Sequence, residues 1–172
     1  IAARFATLGL AERQAVYGRL RDQGLSPAQF PIVPASAAER GGLSHAQQRQ
    51  WFLWRLAPDS TAYHIAGGLR LRGKLDIAAL QAALDALAQR HAALRTRFEQ
   101  DAQGSPTQRV ESAGALPLER IDVAEQADGD RDAAFALAAG RLNGRAFDLL
   151  AGPLARFALL RAASDDLSLI HI

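Results

Sequence analysis

The sequence contains no cysteine and no methionine, and no apolar run in it reaches the length of a membrane-spanning helix. Without cysteine the chain forms no disulfide and offers no thiolate to a metal ion. A bilayer-crossing helix needs about 20 apolar residues, and no segment shows the pattern of a secretory signal. These absences favour a cytoplasmic protein without a membrane partner. Because the first residue is Ile1, we expect an internal piece of a longer polypeptide.

Charge of either sign is also in little excess, with 20 Lys and Arg against 18 Asp and Glu and a formal net charge of +2. The arginines are scattered, whereas a nucleic-acid-binding domain concentrates them in a patch or stripe, so we expect no nucleic-acid partner. The sequence has no pair of histidines at metal-binding spacing; the four are His45, His64, His91 and His171. It also lacks a phosphate-binding glycine loop and a Gly-x-Ser-x-Gly elbow, so we predict no directly bound cofactor and no metal.

The chain begins with a short helical leader. A helix is predicted from about Ala11 to Gln23, and Gly24 stands where a left-handed C-terminal cap is expected. The segment from Pro31 to Gly42 is rich in proline, glycine and small residues, as extended linkers are. We therefore divide the chain into a helical leader and linker, residues 1–35, and a second domain, residues 36–172.

The second domain mixes helices and strands. Ser44 and Gln47 have the spacing of a capping box, which predicts the start of a helix. Apolar residues alternate from Tyr63 to Leu71, which predicts a strand, with a bulge at Gly67-Gly68.

The clearest helix is predicted to follow Asp76, because its apolar residues share one face and His91 lies on the same stripe: Ile77, Leu80, Leu84, Leu87 and Leu94. We therefore expect His91 to be a packed helix residue. The later elements are predicted from the same kinds of pattern: a hairpin around Gly104–Pro106, a strand from Leu116 to Val123, a helix from Arg131 to Leu142 and a strand from Leu154 to Leu160. This irregular mixture predicts an α/β sandwich rather than a helix bundle.

Three segments carry a more specific pattern. Residues 44–53 read Ser-His-Ala-Gln-Gln-Arg-Gln-Trp-Phe-Leu, residues 90–98 read Arg-His-Ala-Ala-Leu-Arg-Thr-Arg-Phe, and residues 146–154 read Ala-Phe-Asp-Leu-Leu-Ala-Gly-Pro-Leu. In order and spacing these first, second and third motifs resemble those of nonribosomal peptide synthetase condensation domains. The family patterns are Ser-x-Ala-Gln-x-Arg-x-Trp-x-Leu, Arg-His-Glu-x-Leu-Arg-Thr-x-Phe and Phe-Asp-Leu-x-x-Gly-Pro-Leu. Gln50 is a variant familiar in domains that join two L-residues, and Ala92 stands where the family usually has Glu.

The resemblance implies the αβα sandwich of chloramphenicol acetyltransferase, of which this chain would hold the amino-terminal lobe only. It implies that the parent enzyme forms an amide bond between an aminoacyl or peptidyl thioester and an acceptor amine. Both substrates arrive on 4′-phosphopantetheine arms. The implied partners are the upstream and downstream peptidyl carrier domains and an adjacent adenylation domain in the same polypeptide.

The resemblance also implies roles for individual residues. Arg90 and Arg95 are both expected to brace the active-site loop, and in the family one of them is thought to pair with the aspartate of the His-His-x-x-x-Asp-Gly motif. The alternative is that both are solvated cations at the end of their helix. In the first motif we expect Ser44, Gln47, Arg49 and Trp51 to be structural, and we expect Phe52 beside them to pack in the core or at a lobe interface.

The last residues need a separate interpretation. Only His171 falls in register with the catalytic motif, whose second histidine orients or deprotonates the amine, and the Asp-Gly of that motif is missing. Residues 167–172, Leu-Ser-Leu-Ile-His-Ile, match the translation of a transposon end used to prepare DNA sequencing libraries. We therefore expect these six residues, His171 included, to be an assembly artefact. Codons unlike that transposon end would contradict this hypothesis.

Two other classes of function stay open on the sequence alone. An epimerization or cyclization domain, or a stand-alone acyltransferase, has the same fold, and the missing catalytic motif is what would separate these enzymes. A non-enzymatic module that docks carrier domains would use the leader, and binding of residues 1–35 to an upstream carrier would favour it. In either enzymatic case we expect the 172-residue chain alone to be inactive.

Overall fold

The computed structural model describes residues 4–5, 7–26, 28, 42–112, 114–126 and 129–172. The chain forms two compact units, Ile1–Gly41 and Gly42–Ile172. The boundary predicted between residues 35 and 36 lies outside the described residues, as does most of the predicted linker. Within the described ranges, no helix is long and apolar enough to cross a membrane.

The first unit contains helix α1, Leu10–Asp22, close to the predicted range. At its start the Glu12 carboxylate accepts a hydrogen bond from the Gly9 backbone N–H at 2.9 Å. At its end the Leu25 N–H donates to the Leu20 carbonyl at 2.9 Å, and Gly24 has φ +74°. This is the predicted glycine cap, since a side chain would be strained at that backbone conformation.

The second unit begins its helices at polar side chains. In the described part these helices are α2, His45–Leu56, α3, Ile77–Arg90, and α4, Arg131–Asn143. Before each helix a side-chain oxygen accepts the backbone N–H three residues later; the caps are Ser44, Asp76 and Asp130. Such caps satisfy N–H groups that the first turn of a helix leaves without a partner. The sequence prediction for α4 is confirmed to within one residue at its end.

The strands form one mixed sheet and one separate hairpin. Their bounds are β1, Gly67–Arg72; β2, Thr96–Gln100; β3, Pro106–Val110; β4, Leu118–Asp122; β5, Phe157–Ala163; and β6, Asp166–His171. The sheet has the order β1-β6-β5-β4, in which β6 is antiparallel to both neighbours and β4 is parallel to β5. Strands β2 and β3 pair antiparallel with each other, which confirms the predicted hairpin.

Helices α3 and α4 cover opposite faces of this sheet. On one face α4 packs with alternate residues of β5: Ala134, Phe135, Ala138 and Leu142 against Ala158, Leu160 and Ala162. On the other face Leu84 and Ala88 of α3 pack with Leu116, Leu118 and Phe157. Because successive strand residues point to opposite faces, these two clusters define three layers. The fold is therefore the α/β sandwich that was predicted.

A charged cluster holds β1 to β6. Arg70 Nη2 donates to Asp166 Oδ2 at 2.7 Å, Arg70 Nε donates to Oδ1, and Arg131 Nη1 lies 3.2 Å from Oδ2. The Arg70 guanidinium also stacks 4.2 Å from the centroid of the Phe135 ring in α4. The hydrogen bonds from Arg70 outweigh burial and lower the pKa of Asp166 to about 2. The buried carboxylate is thus ionised and paired, which is how a buried charge is tolerated.

Helix α3 ends earlier than predicted. The stripe of apolar residues continues to Leu94, but His91 has extended backbone (φ −111°, ψ 101°) and an exposed side chain. A short 3-10 turn, Ala92–Arg95, follows, and Arg95 Nε donates to the Ala88 carbonyl at 2.8 Å. That carbonyl would accept from residue 92 if the helix continued. The prediction of His91 as a packed helix residue is therefore wrong.

Strand β1 also differs from its prediction. Tyr63 and Ile65 lie before the strand and are exposed, and Gly67 and Gly68 pair in regular register with His171 and Ile170 rather than forming a bulge. A Cβ atom on Gly67 would lie 2.5 Å from His171 Nε2, and one on Gly68 would lie 3.0 Å from Ile170 Cδ1. The two glycines thus leave room for the side chains of His171 and Ile170 in β6.

Candidate functional site

A groove of about 790 Å³ in the second unit is the candidate site. Its wall comes from three stretches of chain and from the residue after β6. The end of α2 provides Gln50, Leu53, Trp54, Leu56 and Ala57, and the loop before β1 provides Ser60, Ala62, Tyr63, His64 and Ile65. The loop between α4 and β5 provides Phe147, Leu149 and Leu154, and Ile172 completes the lining. None of these lining residues is Asp, Glu, Lys or Arg, so the groove suits an uncharged, largely apolar ligand.

The first motif places α2 at the groove. Ser44 Oγ accepts from the Gln47 N–H at 3.3 Å, and Gln47 Oε1 accepts from the Ser44 N–H at 2.8 Å, as the capping box predicted. Gln47 Nε2 also donates to Gln108 Oε1 of β3 at 3.1 Å. One turn later Trp51 is buried, with its ring centroid 6.2 Å from that of Phe98 in β2. Arg49 points to solvent.

The second motif joins α3 to the hairpin. Arg95 donates to the Ala88 carbonyl and to the Glu111 carbonyl, so its guanidinium ties the end of α3 to the chain leaving β3. Arg90 is exposed at the last position of α3. The two arginines predicted to share one role therefore have different surroundings here.

The third motif is a tight turn. Asp148 Oδ1 accepts from the Leu150 N–H at 2.8 Å and from the Ala151 N–H at 3.2 Å. The Gly152 N–H donates to the Asp148 carbonyl at 2.9 Å, and Gly152 has φ +60°, which favours glycine. The motif needs its aspartate and glycine for this turn, which presents Phe147 and Leu149 to the groove.

The hairpin connects the three motifs. The Phe98 N–H donates to the Leu149 carbonyl at 2.9 Å, and Arg97 Nη1 donates to the Leu150 carbonyl at 3.3 Å. Because Trp51 of the first motif packs against Phe98 of the second, direct contacts connect α2, the hairpin and the turn. Each motif is recognisable in the sequence, but the contacts between the motifs were not predicted.

Arg156 supports the groove by contacting Phe147, one of its lining residues. Its guanidinium lies 4.4 Å from the centroid of the Phe147 ring and donates to three carbonyls, that of Leu142 in the last turn of α4 and those of Arg145 and Ala146 after the helix. Its backbone pairs with Ile172 through hydrogen bonds of 2.9 Å and 3.0 Å. Burial lowers the pKa of Arg156, and the nearby Arg145 lowers it further. Arg156 thus links the end of α4, the turn and the end of β6.

His64 touches the same ring from another side. His64 Nδ1 lies 2.9 Å from the Asn143 carbonyl oxygen, and its ring meets Phe147 edge-on at 5.0 Å. Neither His64 nor Arg156 was predicted from the sequence as a residue of the site. Both lie close to a motif in sequence, which could have suggested a role, but the contact partner of His64 is 79 positions away.

His171 lies away from the groove. It is exposed at the end of β6, in register with Gly67 and Phe157. Ile172 packs with the cluster beneath α4 and lines the groove, so the preceding side chain points to the opposite face of the sheet. In the described ranges no three His, Asp or Glu residues are grouped to hold a metal ion.

In sequence the chain is similar to parts of large peptide synthetases. A linear gramicidin synthase subunit of Brevibacillus parabrevis is 42% identical over 146 residues, which are 83% of this chain and 2% of that protein. Phosphinothricin tripeptide synthetase PhsC of Streptomyces viridochromogenes is 36% identical over 165 residues, 95% of this chain and 15% of that protein. The chain thus spans a small part of these curated relatives.

Solved structures agree with the sequence comparison. The starter condensation domain of rhizomide synthetase RzmA matches with a TM-score of 0.67 and 28% identity, over 76% of this chain and 31% of that chain. The first condensation domain of the calcium-dependent antibiotic synthetase matches with a TM-score of 0.64 and 25% identity, over 77% and 32%. A protein-family model described as "Condensation domain" matches residues 39–171. Since that match spans well over half of its length, the chain belongs to the condensation domain family.

Proposed function

We propose that this chain is the amino-terminal part of a nonribosomal peptide synthetase condensation domain and that its groove serves amide-bond formation. The observation that carries the proposal is that the first and third family motifs line one uncharged groove, while Phe98 of the second motif contacts both of them. Two motifs that only stabilised separate elements would not need to line the same groove, and a third would not need to contact both. The convergence therefore supports a shared role in holding substrate.

In the proposed reaction the acceptor amine attacks the carbonyl carbon of the donor thioester. A C–N bond forms, the C–S bond breaks, and the donor's pantetheine thiol leaves. The amine proton passes to the second histidine of the family's catalytic motif. Because both substrates are tethered to carrier domains, the step is effectively intramolecular, and positioning supplies a large part of the rate.

The residues of this chain would act mainly by positioning. Gln47 and Trp51 hold α2 against the hairpin, Ser44 caps the start of that helix, and Arg95 holds the hairpin to α3. The exposed guanidinium of Arg90 is open to the aspartate of the catalytic loop, whereas that of Arg95 already donates to two carbonyls. We assign the bracing role to Arg90 on this difference. His171 matches the catalytic histidine by register only.

The proposed partners follow from the family. They are the upstream and downstream carrier domains, whose phosphopantetheine arms bring the substrates, and an adjacent adenylation domain. The subtype that joins two L-residues is proposed from Gln50 in the first motif. A cytoplasmic location is proposed from the absence of cysteine.

The test uses the whole synthetase that carries this chain, with its carriers loaded with donor and acceptor. We expect dipeptide on the acceptor carrier, detected by mass spectrometry, and none from the 172-residue chain alone. Leu56 lines the groove and is exposed, so Leu56→Glu adds a charge to the wall with little effect on folding. We expect it to slow amide formation at least roughly tenfold, because the ligand must then desolvate a carboxylate.

The matched control is Leu137→Glu, which changes an exposed leucine of α4 outside the groove lining. It should leave the rate unchanged. Equal rates in both variants, an epimerised donor without dipeptide, or dipeptide made by the 172-residue chain alone would each contradict the proposal.

A further inference from the structure

His64 is the titratable imidazole in the wall of the groove, and the structure fixes which of its nitrogens carries hydrogen. A backbone carbonyl can only accept, so the 2.9 Å contact with the Asn143 oxygen requires a hydrogen on Nδ1. In the neutral ring Nε2 is then an acceptor. Contacts thus set the tautomer of His64.

The orientation of the ring is held from two directions. Phe147 meets it edge-on at 66°, and Phe147 is in turn stacked under Arg156. A side chain held by a hydrogen bond and an aromatic contact loses little further freedom when a ligand binds. His64 is therefore a fixed side chain in a wall that is otherwise mostly apolar, and Nε2 is the nitrogen that its contact with Asn143 leaves as an acceptor.

The surrounding wall limits what can donate to this acceptor. None of the described lining residues is a carboxylate, so none of them would supply a counter-charge to an ammonium group, which is costly to desolvate without one. An amide N–H carries no such cost. The apolar side chains from α2 and from the third motif suit an apolar side chain next to that amide.

We propose that His64 Nε2 accepts a hydrogen bond from the amide N–H of a peptidyl or N-acylaminoacyl donor whose apolar side chain lies in the groove. This inference rests on the proposed function and specifies the class of donor. His64 is then a substrate-positioning residue that distinguishes an acylated donor from one without an N–H at that position.

The experiment compares two donors on the upstream carrier of the whole synthetase: an N-acylaminoacyl thioester with an apolar side chain, and its analogue in which an ester oxygen replaces the amide N–H. We expect wild-type kcat/KM to be about two- to tenfold higher for the amide donor, mainly through KM, because the amide donor makes one hydrogen bond that the ester cannot make. The ratio within one protein does not depend on how much of it is folded.

Two variants separate this role from a structural one. His64→Asn keeps a donor near the position of Nδ1 for the Asn143 carbonyl but has no counterpart of Nε2, so its amide-to-ester ratio should fall to about one. His64→Phe keeps the ring and loses both nitrogens, so it should lose the ratio and also some thermal stability.

Each outcome decides between the claims. If the wild type makes product from neither donor, the proposed function fails. If it makes product from both at equal kcat/KM, or if His64→Asn discriminates as the wild type does, the inference about His64 is overturned while the proposed function stands.

Discussion

Two neighbouring aromatic residues of the first motif have different surroundings. Trp51 is 7% exposed and contacts the rings of Trp54 and Phe98, whereas Phe52 is 60% exposed. Successive residues of a helix point about 100° apart, so one turn of α2 directs the first ring to the hairpin and the next to solvent. Phe52 therefore does not pack in the core of the described residues, and its packing at a lobe interface stays a prediction.

We predict that Trp51→Ala costs about 3–5 kcal/mol of unfolding free energy, because it removes a buried indole between α2 and the hairpin. Phe52→Ala is the matched control, and as a surface change it should stay within about 0.5 kcal/mol. Urea unfolding of both variants measures the difference. Similar losses in the two variants would refute the packing described for α2.

At this scale the sequence predicted local contacts and missed distant ones. The Ser44–Gln47 box spans one turn, so its spacing alone predicted it. The contacts of His64 with Asn143 and of Trp51 with Phe98 join segments far apart in the chain. No local pattern encodes such pairs, since they depend on how the elements pack.

Between elements, the pairing of β1 with β6 depends on charge as well as on backbone hydrogen bonds. Arg70 and Asp166 lie on the facing strands, and Arg131 of α4 reaches the same carboxylate. The pKa of Asp166 in the folded chain, about 2, lies below its ordinary value of 3.8. Its contribution to stability is therefore complete above about pH 4 and is lost as the pH falls toward 2.

We predict that Asp166→Asn lowers the thermal midpoint at pH 7 and that this deficit shrinks between about pH 4 and pH 2, where the wild type loses the same ionic contact. Thermal unfolding followed by circular dichroism across this range measures the gap. Asp165→Asn is the control, because Asp165 is exposed and makes no ion pair within the described part of the chain. A deficit that stays constant down to pH 2 would show that ionisation of Asp166 is not the cause.

Element ends were harder to predict than element identity. The cap at Asp76 and the stripe from Ile77 predicted α3, but its end depended on Arg95 taking the Ala88 carbonyl. The alternation from Tyr63 predicted a strand, but only the residues from Gly67 onward find a partner in β6. Both ends are decided by tertiary hydrogen bonds rather than by local propensity.

For the whole molecule, the family and the α/β class followed from three motifs and an irregular mixture of elements. The division at residue 35, the role of the leader and the origin of residues 167–172 remain predictions. The groove could not be anticipated, because its wall comes from α2, two loops and Ile172, which are remote in sequence. Motifs identify a family more readily than they reveal which surfaces they build together.

The place of β6 in the middle of the sheet has a consequence for biosynthesis. The strand at this position, whether it is β6 as it stands or a natural strand in place of residues 167–171, leaves the ribosome last of the six described strands, yet both β1 and β5 need it as a neighbour. The ion pair of Arg70 therefore cannot form until Asp166 has been translated, 96 positions later. During that interval β1 lacks its partner and β5 has one side open, and unpaired strand edges recruit other chains. Translation thus exposes these edges on every nascent copy, so chaperone capture or wide spacing of ribosomes on the message would favour correct folding.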